Sequence, residues 1–135
     1  MHAGAFAMMP DTTAHRDRLV DPEASESERN YALATHLSIL AFLVIGIPVI
    51  VSLVLWLIRR GDSPFLDDHG KEAVNFQISL LLYGILSFLL MPLCFVGFFT
   101  IGAAYVLGIV GCIMASIAAR RGEFYRYPMT IRLIG

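Results

Sequence analysis

Two long stretches without a single Asp, Glu, Lys or Arg, Tyr31–Ile58 and Ala73–Ala119, decide what this chain can fold into. Between them lies a charged connector, and Ser63–Gln77 (SPFLDDHGKEAVNFQ) leads polar sequence directly into the second apolar run. At ~1.5 Å per helical residue the two stretches would reach ~42 Å and ~70 Å, against a hydrocarbon core of ~30 Å. Neither fits a bilayer as one straight helix, and the second must cross and return. Of the 135 residues, 57% are hydrophobic and only 16% charged, too little charge to cover a soluble core. The expectation is an all-α integral membrane protein.

Helix-breaking residues suggest where each run turns. In the first, Gly46-Ile47-Pro48 interrupts the pattern, because Pro48 lacks an amide proton and biases Ile47 away from helix. In the second, Pro92 and Gly97 place the break at Met91–Thr100. This gives one helix from Pro64 or Lys71 to Met91 and another from Phe98 to Ala119. Ser25-x-x-Glu28 has capping-box spacing, and Ser63-Pro64 resembles an N-cap followed by Pro at the first helical position.

Both apolar runs end alike, in Arg59-Arg60-Gly61 and Arg120-Arg121-Gly122. Paired Arg complements a helix C-terminus, the glycine suits a left-handed C′ position, and basic residues beside a span mark the cytoplasmic side. The favoured reading is a compact bundle of four helical segments arranged as two hairpins, in the inner membrane with both termini cytoplasmic. Its rival is three transmembrane helices, with 31–58 as one tilted span. The domains read as a disordered polar tail over 1–26, a membrane helical domain over 27–122, and a membrane-surface segment over 123–135 anchored by Phe124, Tyr125, Arg126 and Tyr127. The tail begins without the basic region of a signal peptide, and its His2 and His15 read as solvated.

Three constellations invite a functional reading. Asn75, Ser79 and Tyr83 share a helix face with Glu72, Ser87 lies at its edge, and Gln77 points away. Amides and hydroxyls facing lipid are costly, so this stripe should face the bundle, with a hydrated conduit as the functional alternative. His36 is the titratable group inside the first run, on a face with Leu33, Leu40 and Leu43. In the connector, Asp67, Asp68, His69 and Glu72 resemble a metal-binding set, yet the familiar helical motif is Glu-x-x-His and here the order is reversed. Asp67 and Asp68 equally suit the positive end of a helix.

The third constellation is a ridge of small residues, Ala104, Gly108, Gly111, Cys112, Ala115 and Ser116, within one arc of the last helix. Such ridges let helix backbones approach closely in lipid, either inside a chain or between subunits. Cys94 and Cys112 lie in apolar sequence and read as buried, reduced thiols. No phosphate loop, nucleophile elbow or paired-cysteine zinc pattern occurs, and a net charge of −1 without a basic block gives no reason to expect nucleic acid.

The stretches ERNYALATHLS, WLIRRGDSPFLDDHGKEAVNFQIS and GEFYRYPMTIRLI resemble a bacterial family of small membrane proteins catalogued as a domain of unknown function. That family is described as distantly similar to the twenty-kilodalton subunit of the chloroplast inner-envelope translocon. The resemblance covers Glu28 to Ile134 and implies four helical segments with both ends on one side. It implies no catalytic residues. The chain departs from it at the first-hairpin turn, which is only Gly46-Ile47-Pro48.

The functional expectation is a non-enzymatic multi-pass membrane protein without metal or cofactor, acting as a subunit or scaffold of a membrane assembly. Its partners would be the bilayer and a second copy or other membrane subunits. A channel or translocation component is the alternative, and a membrane enzyme or metal-binding protein using residues 62–72 is a third.

Overall fold

The computed structural model describes residues 20–46, 49–93 and 95–135, and within them the chain is all-α with four helices. Most of the 1–26 tail lies outside the described residues, as do Ile47, Pro48 and Cys94, so the readings made for them are left there. The helices are α1 (Glu26–Ile45), α2 (Ile50–Arg59), α3 (Pro64–Leu89) and α4 (Val96–Arg120). They form two hairpins, α1–α2 and α3–α4. Both α3 and α4 are long and apolar enough to cross a membrane, whereas α2 has ten residues and does not.

Local chemistry sets the helix ends. Ser25 Oγ accepts from the Glu28 amide at 3.2 Å while Glu28 Oε2 accepts from the Ser25 amide at 2.8 Å, closing the capping box that starts α1. At the far end Gly46 takes a left-handed φ of 73°, and its amide bonds to the Phe42 carbonyl. Ser63 caps α3 by accepting from the Leu66 amide at 3.3 Å, with Pro64 following where a missing amide costs nothing. Gly122 closes α4 with φ 73°, as its position after Arg121 suggests. Gly61 does not match it. It stays out of the left-handed region, and the two ends bond differently: the Glu123 amide reaches back to the Ala118 carbonyl, whereas the Asp62 amide returns only to the Arg59 carbonyl.

Two glycines let backbones meet. A Cβ on Gly97 would lie 2.1 Å from the Ser87 carbonyl oxygen, so glycine is what allows the α3–α4 turn to close this tightly. A Cβ on Gly70 would lie 2.2 Å from the Trp56 ring, so α2 seats its indole directly on the α3 backbone. Trp56 Nε1 then donates to Asp67 Oδ1 at 2.9 Å. Within the first hairpin, Ser38 and Ser52 bond across the helices and the Tyr31 hydroxyl donates to the Leu55 carbonyl at 2.8 Å.

The first hairpin inserts only part of the way. At its entrance Asn30 accepts from Arg120 at 2.8 Å, at the end of α4. Near its tip Leu43 packs against Gly108, halfway along α4, together with Leu80 of α3. Beyond that level, among the described residues, α3 and α4 continue without a third helix, exposing Phe88, Leu89, Phe95, Phe98 and Phe99. The core lies on the other half, where Ile39, Ala73, Phe76, Leu80, Cys112 and Ala115 pack around Tyr127. A second cluster of Ala24, Ala32, Phe65, Leu66 and Ala119 sits nearer the helix ends.

Candidate functional site

The C-terminal segment 123–135 has no helix or sheet ladder of its own and packs along α3 as a strap. Extended backbone beside membrane-spanning helices needs hydrogen-bond partners. The polar stripe of α3 supplies them. Asn75 Oδ1 accepts from the amides of Leu133 (3.1 Å) and Ile134 (3.0 Å), while its Nδ2 donates to the Ile134 carbonyl at 2.9 Å. Ser79 Oγ accepts from the Ile131 amide at 2.8 Å and donates to the Asn75 carbonyl at 2.9 Å. The Tyr83 hydroxyl donates to the Met129 carbonyl. Asn75, Ser79 and Tyr83 are thus brought together by the strap, and the bonds sought across helices go to its main chain.

At the upper end the strap meets the connector. Arg126 grips Asp68 with two bonds of 2.6 Å. Glu72, almost fully buried, accepts from the Tyr127 amide at 2.7 Å and from Arg132 Nη2 at 2.9 Å. A buried carboxylate is tolerable only with such partners. Asp67 turns the other way, toward Trp56 and Lys71 (2.8 Å). The four connector residues therefore face different partners, and no group of three metal-ligating side chains converges among the described residues.

Sequence reasoning did not anticipate that His36 and His69 meet. His36 Nε2 lies 2.7 Å from His69 Nδ1, and His36 Nδ1 lies 2.8 Å from the Tyr127 hydroxyl. Burial, reinforced by Cys112, Tyr125 and Glu72, pushes the Tyr127 phenol well above its ordinary range, so the hydroxyl stays protonated. The reverse direction would strand both the Tyr127 O–H and His69 Nε2 among the described residues, so Tyr127 donates to His36 Nδ1 and His36 donates through Nε2 to His69 Nδ1. That leaves the His69 proton on Nε2, which is buried without a hydrogen-bond partner among the described residues. Phe65 packs edge-on to His69, Phe124 stacks over it, and Phe76 stacks on Tyr127 with ring centroids 3.8 Å apart. Chemically this is a buried, directional chain of three side chains tying α1, α3 and the strap together. The sequence signals for it were an intramembrane histidine and a tyrosine in a polar tail, but each lies in a different segment.

The small-residue ridge is largely occupied within the fold. Gly108 faces Leu43 and Leu80, Gly111 faces Phe76 and Tyr127, and Cys112 Sγ donates to the His36 carbonyl at 3.1 Å. Ala115 and Ser116 are buried as well. Ala104 alone of the named ridge remains half-exposed, lining an apolar groove of about 720 Å³ between the lone halves of α3 and α4 with Tyr83, Ser87, Ala103 and Met129.

A search of curated proteins returns no match, and a search of solved structures returns none either. None of these comparisons supports the likeness to the chloroplast translocon subunit, and the broader resemblance to a bacterial family of small membrane proteins takes a definite form. The model of the Magnetosome magnetite crystal formation protein family (MamF_MmsF) matches residues 27–134, from the capping box of α1 to the end of the strap, and the chain belongs to that family.

Proposed function

We propose that the protein is a non-enzymatic, multi-pass subunit or scaffold of the membrane assembly in which magnetite crystals form. Family membership over residues 27–134 carries this reading. The geometry is compatible with it in two ways. The α3 polar stripe and the connector carboxylates are bonded internally, which weighs against a hydrated conduit and against a metal centre. The lone halves of α3 and α4 present an open apolar groove walled by Ala103 and Ala104, a suitable seat for a helix of another subunit. Both hairpins open at one end, where Arg59, Arg60, Arg120 and Arg121 collect, and this favours the cytoplasmic side for both termini and the connector.

A tagged copy expressed in a magnetite-forming bacterium tests the reading. It should copurify with the membrane surrounding the crystals, together with other membrane proteins retained in mild detergent. Ala103→Leu with Ala104→Leu should weaken that retention without unfolding the chain. Recovery solely in bulk cytoplasmic membrane, as a lone monomer, would overturn the proposal.

A further inference from the structure

Near the entrance of the first hairpin, α1 and α4 leave a narrow groove of about 330 Å³ between them. Its walls are Leu33 and Leu37 from α1 and Ile113 and Ile117 from α4, each pair one turn apart. Its mouth is formed by Arg120 and Arg121. Arg59, Lys71, Arg126 and Arg132 each pair with a carboxylate, but among the described residues Arg120 and Arg121 do not. Arg120 is instead oriented by Asn30, and Arg29 adds a third guanidinium by lying over Gly122. Two buried polar atoms at this corner lack partners: Arg29 Nε and, in the groove wall, Ser116 Oγ.

An apolar trough leading up to positive charge that no described carboxylate pairs has the chemistry of one amphiphile. We propose that the groove binds an anionic phospholipid, with an acyl chain between Leu33, Leu37, Ile113 and Ile117 and the phosphate at Arg120 and Arg121. The groove holds roughly ten methylene groups if each occupies about the ~30 Å³ of a water molecule. Guanidinium forks match phosphate oxygens in geometry and charge. A zwitterionic headgroup would bring its own cation against them, so the site discriminates by headgroup charge.

The full chain, purified in detergent and titrated with phosphatidylglycerol or phosphatidylcholine under native mass spectrometry, tests this. Phosphatidylglycerol should be retained preferentially at one per chain. Arg120→Gln with Arg121→Gln should weaken retention roughly tenfold or more, as expected for lost charge-assisted bonds. Ile113→Trp, or Leu37→Trp at the facing wall, should weaken it comparably with every charge intact. Arg59→Gln with Arg60→Gln should leave it unchanged, and circular dichroism of each variant should match the parent.

Equal loss in the Arg59/Arg60 variant, or equal binding of the two lipids, would overturn the proposal in favour of diffuse surface attraction. Displacement by inorganic phosphate with no effect of Ile113→Trp would reduce it to an anion site. Loss of a dimer in Ile113→Trp with unchanged lipid binding would assign the groove to a second copy. None of these outcomes bears on copurification with crystals, so the two proposals fail separately.

Discussion

His36 and His69, thirty-three positions apart in sequence, share a 2.7 Å hydrogen bond in the interior of the molecule. The bond joins the two hairpins, since His36 belongs to α1 and His69 to α3. Through the Tyr127 hydroxyl it extends to the strap. The three parts of the fold that are distant along the chain therefore meet in one row of side chains.

Tyr127→Phe isolates the value of that row. The ring still stacks on Phe76, but His36 Nδ1 loses its partner while remaining fully buried. Leaving such a group unsatisfied costs about 1–3 kcal/mol. Thermal unfolding in detergent should show a lower midpoint for Tyr127→Phe than for the parent. An unchanged midpoint would mean that the bond contributes nothing to stability.

Asn75 and Gln77 provide a paired test of the strap. Asn75→Leu would strip partners from the Leu133 amide and from both main-chain groups of Ile134. Hydrogen exchange over residues 131–134 should quicken. Gln77 is just as buried, yet its Oε1 has no partner, so Gln77→Leu should be neutral or stabilising by up to about 1–3 kcal/mol. If Gln77→Leu loosened the strap as much as Asn75→Leu, the assignment of its anchor would be wrong.

Gly70→Ala targets the docking of α2. The added methyl would overlap the Trp56 ring, and overpacking of this kind costs about 1–3 kcal/mol. Because Trp56 is the chain's one tryptophan, intrinsic fluorescence reports its surroundings without interference. The emission should shift toward the red as the indole leaves its seat. A spectrum identical to the parent's would argue against this close approach.

Topology is tested with Thr12→Cys in a Cys94→Ser, Cys112→Ser background. An impermeant thiol reagent added to intact cells should leave it unlabelled, and labelling should appear after permeabilisation. Labelling from outside would place the N-terminus across the membrane from the proposed cytoplasmic side.

Much of the architecture was legible because it follows from local chemistry. Ser25 and Glu28 announce the start of α1, Ser63 and Pro64 that of α3, and the charge-free length of 73–119 demands a return. The strap was harder to foresee, since 123–135 is short, polar and without helical or strand periodicity. Its anchors lie forty-six to fifty-nine positions upstream, so the stripe of Asn75, Ser79 and Tyr83 signalled a need for partners without naming them. Gly61 misled because it follows Arg-Arg as Gly122 does, yet the immediate turn into Asp62 and Ser63 leaves no room for a left-handed cap. The meeting of His36 with His69 depends on the relative depth of two hairpins, which no local pattern records.

The shallow first hairpin also gives the molecule unequal ends. Among the described residues, four helical segments and the strap crowd one half, while the Phe88–Phe99 half holds only the ends of α3 and α4. Inserted in a bilayer, such a shape takes more area from one leaflet than from the other.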